Sequence, residues 1–182
     1  MAAIELFLER GYEQTTVQDI AAATGLTERT FFRHFADKRE VLFHGQERYQ
    51  AVFLLGAASA PEGSTPMGLA VAALTAAQEF FPEDRRPWSR LRQTVIDANP
   101  ALVERELLKR AALADALTGA FLERGVAEVD ARVSAETAVT AFHLAFRLWI
   151  APEERRALGE IERDVLARMA ALMPGPASIP PG

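Results

Sequence analysis

The stretch TTVQDIAAATGLTERTFFRHFADKREVLF, residues 15–43, decides the fold of this chain. Thr16 is a suitable N-cap for a first helix, in which Val17 and Ile20 have the spacing of a buried face. A three-residue turn follows. Its Gly25 is the one residue there that tolerates positive φ without steric cost. These features predict a short helix that ends in a tight glycine turn.

The second half of the stretch predicts another helix and the start of a third. Leu26 is expected to fill the corner, and Thr27 to cap the second helix. Phe31 and Phe35 recur four residues apart, so they should share its inner face. Asp37 then has the position of a cap for the next helix. Two short helices joined in this way form a helix-turn-helix, whose second helix enters the DNA major groove.

These residues resemble a known family. LFLERGYEQTTVQDIAAATGLTERTFFRHFADKREVLF is similar to the DNA-binding domain of the TetR-type bacterial repressors, over about the first 48 residues. Between residues 91 and 156, LRQTVIDANPALVERELLKRAALADAL and AFHLAFRLWIAPEER resemble the C-terminal domain of the subgroup that contains the mycofactocin-associated regulators. The resemblance implies an all-α homodimer: an N-terminal three-helix helix-turn-helix domain followed by a C-terminal helical domain that binds a small molecule and thereby releases DNA.

Groove geometry predicts which side chains face a double-stranded DNA operator. Arg can bind guanine with two hydrogen bonds, Glu can accept from cytosine, and Thr can contact a thymine methyl group. Thr16, His34 and Lys38 are better placed for phosphates. Where the family usually has tyrosine this chain has Phe32, so one phosphate hydrogen bond is absent. The alternative is a solvated helix face. The full predicted set is Thr16, Gln18, Thr27, Glu28, Arg29, Thr30, Phe32, Arg33, His34 and Lys38.

Charge and composition fit this interpretation. The 182-residue chain has a net charge of −5, whereas residues 27–39 hold four cationic and two acidic side chains. The positive charge is therefore local, and acidity elsewhere disfavours non-specific binding of nucleic acid. There is no cysteine, so disulfides and thiolate metal sites are excluded. No apolar leader or membrane-length apolar run occurs, which predicts a cytoplasmic protein without a membrane partner. The chain begins inside what should be the first helix.

Proline, glycine and polar residues divide the remainder into helices. We expect a DNA-binding domain at residues 1–48, a ligand-binding and dimerisation domain at residues 49–173, and a disordered tail at residues 174–182. The helix that begins at Asp37 should run unbroken to about Ala58. Thr65 and Pro66 should begin the next helix, Asp130 should cap a later one, and Pro152 should begin the last.

Apolar side chains of the second domain are candidates for an effector pocket and a dimer interface. Ordinary core packing is the alternative for each aromatic ring and for His143. A pocket for a small hydrophobic or amphipathic effector is predicted from Phe80, Trp88, Gln93, Phe121, Phe142, His143 and Phe146. The last two helices resemble the family's dimerisation pair. Their predicted interface residues are Trp149, Leu158, Ile161, Val165, Met169 and Leu172.

No motif favours an enzyme. The three histidines are far apart, and the chain lacks a zinc motif, a phosphate-binding glycine loop and a nucleophile elbow, so we expect neither a metal nor a cofactor. We therefore predict a ligand-responsive transcriptional regulator, a repressor that binds a palindromic operator as a homodimer. The effector would swing the helix that begins at Asp37, with Phe43, Glu47 and Pro100 as levers. The alternative is a helical protein-interaction module that keeps the fold without specific DNA binding.

Overall fold

The computed structural model describes residues 2–172, within which nine α-helices form and no strand occurs. The helices are α1 Ala2–Arg10, α2 Val17–Ala23, α3 Glu28–His34, α4 Gln46–Ala58, α5 Pro66–Ala77, α6 Arg86–Asp97, α7 Pro100–Glu123, α8 Glu128–Trp149 and α9 Leu158–Leu172. Short 3₁₀ turns occupy Lys38–Val41, Gln78–Phe80 and Glu83–Arg85. The all-α prediction is confirmed. The predicted tail at residues 174–182 lies outside the described residues.

Local capping sets most helix boundaries where the sequence predicted them. Thr16, Thr27 and Thr65 each accept a hydrogen bond from a backbone N–H in the first turn of their helix, so all three predicted caps are confirmed. Gly25 and Gly125, with φ of +69° and +80°, lie just beyond the ends of α2 and α7. In both places the positive φ is available to glycine at no steric cost.

The predicted unbroken helix from Asp37 to Ala58 is wrong. Asp37 does act as a cap, because its side chain accepts from the N–H groups of Arg39 and Glu40, but it begins only the 3₁₀ turn Lys38–Val41. A turn over residues 42–45 then separates this segment from α4. Gly45 has a φ of +84°, which ends the helical path.

The last two helices begin at other residues than the predicted ones. α8 starts at Glu128, with Ala127 as its N-cap and Asp130 inside the first turn, where a carboxylate offsets the helix dipole. α9 starts at Leu158 instead of Pro152. Glu154 holds the intervening loop by accepting from the backbone N–H groups of Arg155 and Arg156.

The chain divides into two compact units. The first contains residues 1–51 and 84–112. Its core joins α1, α2 and α3 to α6 and the start of α7, through buried side chains that include Phe7, Ile20, Phe31 and Ile96. This unit is larger than the predicted domain at residues 1–48, because α6 buries Val95 and Ile96 in the same core.

The second unit contains residues 52–83 and 113–182, described to residue 172. α8 packs on α5 and α9. α4 and α5 approach closely at Gly56, where an added Cβ would lie 2.6 Å from the carbonyl oxygen of Ala72. Arg124 donates to the carbonyl groups of Ala57 and Pro61 and so caps the end of α4. Within residues 2–172 no helix is long and apolar enough to cross a membrane.

Candidate nucleic-acid interface and effector region

Side-chain hydrogen bonds close both ends of α2. Thr16 Oγ1 accepts from the Asp19 N–H at 3.1 Å, and Asp19 Oδ2 accepts from the Thr16 N–H at 2.8 Å, which completes a capping box. Hydrogen bonds to the carboxylate from the Thr16 hydroxyl and from the Thr16 N–H lower the pKa of the Asp19 carboxyl. At the other end the Thr24 hydroxyl donates to the carbonyl of Ile20 at 2.9 Å. Both ends of the first helix of the helix-turn-helix are therefore stabilised by local side-chain bonds to its backbone.

Helix α3 has one buried and one exposed face. Phe31, only 1% exposed, anchors the buried face and lies 5.0 Å from the ring of Phe35. The outward positions are all exposed, and Phe32, at 53% exposure, packs its edge against Phe31. The predicted contact residues Gln18, Glu28, Arg29, Phe32, Arg33 and His34 lie at the surface, and Thr30 is half-buried.

The two predicted base-reading arginines lie at the surface without an internal partner. Arg29 and Arg33 are both exposed, and neither forms an ion pair within residues 2–172. A guanidinium group that no carboxylate holds can turn toward a guanine edge without breaking a protein contact. Leu26, by contrast, was expected to fill the corner before α3 and is 39% exposed.

Hydroxyl groups of the predicted interface are already engaged inside the protein. The Thr16 hydroxyl donates to Asp19 Oδ2 at 2.6 Å, so a hydrogen bond from this hydroxyl to a phosphate would have to replace that bond. The hydroxyls of Thr27 and Thr30 lie 3.0 Å apart and share a hydrogen bond. The hydroxyl groups of these threonines therefore stabilise the helix ends. Only their methyl groups remain available for contact with DNA bases.

Lys38 does not have the predicted phosphate-binding geometry. Its ammonium group donates to the carbonyl oxygens of Tyr12 at 2.8 Å, Thr15 at 3.3 Å and Glu13 at 3.4 Å. It also lies 4.3 Å from the centre of the Tyr12 ring. Since an ammonium has three donors, all are used. Lys38 therefore ties the loop after α1 to the segment after α3.

Aromatic rings of the second unit form one cluster. Phe81 has its ring centre 5.4 Å from those of Phe142 and Phe146 and 6.0 Å from that of Trp149, while Phe53 lies 5.2 Å from Phe142. The Trp149 indole N–H donates to Glu83 at 3.1 Å. This cluster includes the predicted pocket residues Phe142 and Phe146.

The predicted pocket residues are divided between the two units. Phe80, Phe121, Phe142, His143 and Phe146 belong to the second unit, where Phe121 is fully buried and Phe80 and His143 are half-buried. Trp88 and Gln93 belong to the first. The Gln93 amide, 2% exposed, already donates to Asp97 and Glu106, so its prediction as an effector contact is wrong.

The predicted dimer interface is largely wrong. Trp149 and Ile161 are fully buried within the chain, and Leu158 and Val165 are nearly so, because α9 turns its apolar stripe onto α8. Only Leu172, at 82% exposure, and the half-buried Met169 remain accessible from the predicted set. The apolar stripe of α9 does need a cover, but α8 of the same chain provides it and no second protomer is required.

A different apolar stripe is exposed instead. On the outer face of α8 the exposed apolar side chains are Val129, Val133, Leu144 and Leu148, among exposed polar residues that include Thr140. They recur at helical spacing on the face opposite buried Ala131, Ala135 and Phe142. The signal was present in the sequence as a second apolar face of α8, but the sequence did not indicate which of the two faces the core would use.

One buried carboxyl group was missed by the sequence analysis. Glu162 of α9 is 2% exposed, and its Oε2 accepts from the Gln78 side-chain amide at 2.8 Å. Its other oxygen, Oε1, is buried without a hydrogen-bond partner in the described part of the chain. Burial raises the pKa of Glu162 to about 7, although the Gln78 bond acts in the opposite direction. Gln78 packs directly over Gly159, where a Cβ would collide with the amide.

Residues 1–44 match the family described as bacterial regulatory proteins, tetR family. The HTH-type transcriptional regulator TcmR of Streptomyces glaucescens is 46% identical over 65 residues, which are 36% of this chain and 29% of that protein. The HTH-type transcriptional repressor BepR of Brucella suis is 31% identical over 88 residues, covering 47% of this chain and 42% of that protein. The chain thus matches less than half the length of either curated relative.

Similarity to solved structures extends along the whole chain. The TetR family regulator PfmR from Thermus thermophilus is 25% identical with a TM-score of 0.51, over 90% of this chain and 91% of that one. Thermus thermophilus FadR, a TetR family repressor in complex with lauroyl-CoA, is 20% identical with a TM-score of 0.57, over 100% of this chain and 96% of that one. The resemblance of the C-terminal half to the mycofactocin-associated subgroup stays a prediction. The helix-turn-helix geometry and the matched residues 1–44 show an N-terminal domain of the tetR family, and the similarity to PfmR extends the TetR-like fold over 90% of the chain.

Proposed function

We propose that the protein is a ligand-responsive transcriptional regulator that binds a palindromic DNA operator as a homodimer, with a small hydrophobic or amphipathic effector. The observation that carries the proposal is the exposed face of α3, which presents Arg29 and Arg33 without ion pairs to any residue between 2 and 172, on a helix whose opposite face is anchored by Phe31. This is the surface that a recognition helix needs. A cytoplasmic location belongs to the same proposal.

Selection of bound duplexes from a random DNA library tests the DNA-binding proposal. We expect the wild-type protein to enrich a pseudo-palindrome whose half-site centres are about 34–36 Å apart or a multiple of this. Arg29→Ala or Arg33→Ala should relax base preference at one position per half-site and cost about 1–3 kcal/mol each. Arg168→Ala, which removes an exposed arginine side chain of α9 in the other unit, is the matched control and should change nothing.

The outcome also separates the proposal from the protein-interaction module. A module without specific DNA binding would enrich no sequence and would show only weak binding that salt abolishes. The outward arginines of α3, the match of residues 1–44 and the named relatives favour the regulator.

The aromatic cluster of the second unit supports the effector part of the proposal. Phe53, Phe81, Phe142 and Phe146 bring large apolar surfaces together on α4, α8 and the turn after α5, as an apolar effector would require. We expect Phe142→Ala to alter the response to an effector while operator affinity without effector stays nearly unchanged. Lauroyl-CoA, the ligand in the FadR structure, is a rational first compound for a thermal-shift screen. Equal loss of operator binding with and without the added compound would mean that Phe142 is structural.

For the homodimer we now propose the outer face of α8 as the interface, in place of the predicted α9 stripe. Val129, Val133, Leu144 and Leu148 form an exposed apolar surface of the kind that soluble monomers rarely leave open. Sedimentation of the purified protein at micromolar concentration is the test. A stable monomer would exclude the dimer and with it the palindromic operator.

A further inference from the structure

The segment between the recognition helix and α4 has a backbone carbonyl that the helix break leaves available. Successive 3₁₀ bonds run from Leu42 N–H to Arg39 and from Phe43 N–H to Glu40. The Gln46 N–H then bonds to Phe43 instead of Leu42. In a continuous α-helix the Leu42 carbonyl would accept from residue 46. Here it accepts from the Arg92 side chain of α6 at 2.7 Å.

A charged bridge connects the same segment to α7. Glu40 Oε1 lies 2.8 Å from the Arg105 guanidinium, and Glu40 Oε2 lies 3.4 Å from the Lys109 ammonium. We call these three side chains the Glu40 bridge. Arg105 and Lys109 are four residues apart and so share one face of α7. The Lys109 and Glu40 side chains are only 17% and 21% exposed, so their attraction is less screened than that of a surface pair.

The Phe43 ring extends the same connection. It is buried, and two cations lie near its face: the Arg92 guanidinium at 5.1 Å and the Lys109 ammonium at 5.5 Å. Glu106 of α7 lies 3.6 Å from Arg92 and holds it from the other side. Burial lowers the pKa of Arg92, and the Glu106 charge opposes that shift. Residues 40–43 are thus fixed to α6 and α7 through side chains, not through α4.

The opposite end of the segment contacts the recognition helix. Phe35, at the C-terminal end of α3, has its ring 5.2 Å from that of His44 and 5.0 Å from that of Phe31, the anchor of the buried face of α3. A displacement of residues 40–44 therefore changes the surface against which α3 packs. The turn at Gly45 interrupts the helical hydrogen bonds before α4. A displacement of α4 is therefore not transmitted to α3 through one continuous helix.

We propose that Glu40 is a positioning residue. Arg105 and Lys109 of α7 hold its carboxylate, and through this contact Glu40 sets the position of recognition helix α3. This rests on the proposed function and replaces the expected swing of a continuous helix from Asp37. Of the three predicted levers, Phe43 lies beside the bridge and Pro100 begins α7, whereas Glu47 lies exposed on α4 beyond the break. If effector binding displaces α7, this displacement would be transmitted to the DNA-binding surface through the Glu40 bridge.

The test compares full-length variants by hydrogen exchange and by DNA binding. Glu40→Gln keeps the side-chain shape and removes the charge, and Lys109→Met removes the longer Glu40 contact together with the cation near the Phe43 ring. We expect faster amide exchange in α3 and about tenfold weaker binding to the duplex that the wild type selects, within the range typical of coupling between sites. Binding to an unselected duplex should be unchanged, because a misplaced α3 loses base contacts and keeps the phosphate contacts.

A charge exchange separates positioning from general stability. In a Lys109→Met background, where no second cation faces residue 40, the exchange of Glu40→Lys with Arg105→Glu can re-form the pair with reversed polarity. The α3 exchange and the operator preference should then return toward the values of Lys109→Met alone. Asp115→Asn, which removes an exposed ion pair with Arg132 in the second unit, is the control and should leave both unchanged.

Two results would overturn the proposal. One is unchanged α3 exchange in both Glu40→Gln and Lys109→Met. The other is equal weakening on selected and unselected duplexes with no recovery in the exchanged pair, which would make the bridge purely structural. If the wild type selects no duplex, the proposed function fails, and hydrogen exchange still decides whether Glu40 positions α3.

Discussion

Glu162 should make the folded state less stable as pH rises through neutrality. Its carboxyl is 2% exposed, and one of its oxygens has no hydrogen-bond partner in the described part of the chain. Burial raises its pKa from the ordinary 4.5 to about 7. Between these values the folded state binds more protons than the unfolded state, so stability falls with rising pH. Below about 4.5 the group is neutral in both states, and above about 7 the full penalty applies.

The size of the effect follows from the shift. At about 1.4 kcal/mol per pKa unit, the rise from 4.5 to about 7 corresponds to about 3 kcal/mol lost between acidic and mildly alkaline solution. Glu162→Gln removes the titrating group and keeps an acceptor for the Gln78 amide, whose bond to Glu162 is 2.8 Å long. We expect the variant to match the wild type near pH 4.5 and to exceed its unfolding free energy by about 2–3 kcal/mol at pH 8.

Urea denaturation at a series of pH values, at one fixed protomer concentration, measures this difference. Glu123→Gln is the control, because Glu123 is exposed on α7 and should leave the pH dependence unchanged. Curves of stability against pH that run parallel for Glu162→Gln and the wild type would refute the reasoning. They would mean that Glu162 is solvated in solution or already ionised at no cost.

Three further changes test the packing, the loop tie and the interface. Gly56→Ala should destabilise by about 1–3 kcal/mol in thermal denaturation, since its Cβ would collide with backbone of α5, whereas Gly119→Ala, with open space around it, should be neutral or stabilising. Lys38→Met should cost about 1.5–3 kcal/mol of stability and leave both the salt slope of operator binding and the base preference unchanged, whereas Arg33→Met should relax the base preference; a lower slope for Lys38→Met would restore its phosphate role. Leu144→Glu should give a folded monomer in sedimentation, because Leu144 is exposed on α8. Val165→Glu should unfold the chain, because Val165 is buried. A folded monomer from Val165→Glu would instead mean that the dimer interface lies on α9.

Local chemistry made much of the fold predictable. The caps at Thr16, Thr27, Asp37 and Thr65 act through hydrogen bonds to residues two or three positions away, so their sequence neighbours are sufficient to identify them. The glycine turn after α2 depends only on the positive φ of Gly25. The same local order places Arg29 and Arg33 on the outer face of α3, opposite Phe31.

Other predictions failed because they depended on residues distant in sequence. Lys38 was interpreted as a phosphate ligand, but the carbonyl groups that occupy it belong to Tyr12, Glu13 and Thr15. Gln93 was interpreted as an effector contact, but Glu106 of the next helix accepts its amide proton. A side chain's donors show what it can bind, and only the folded chain shows which acceptors reach it first.

The sequence by itself determined that this protein is helical, where most of its helices begin, and which helix presents arginines outward, because these properties are set within one or two helical turns. Only the tertiary structure decided which apolar face of α8 and α9 is used inside the chain. Both helices have an apolar stripe, and burial of Ile161 and Val165 against α8 leaves Val133 and Leu144 exposed. A hydrophobic stripe requires a cover but does not specify which surface provides it, since apolar burial is not directional.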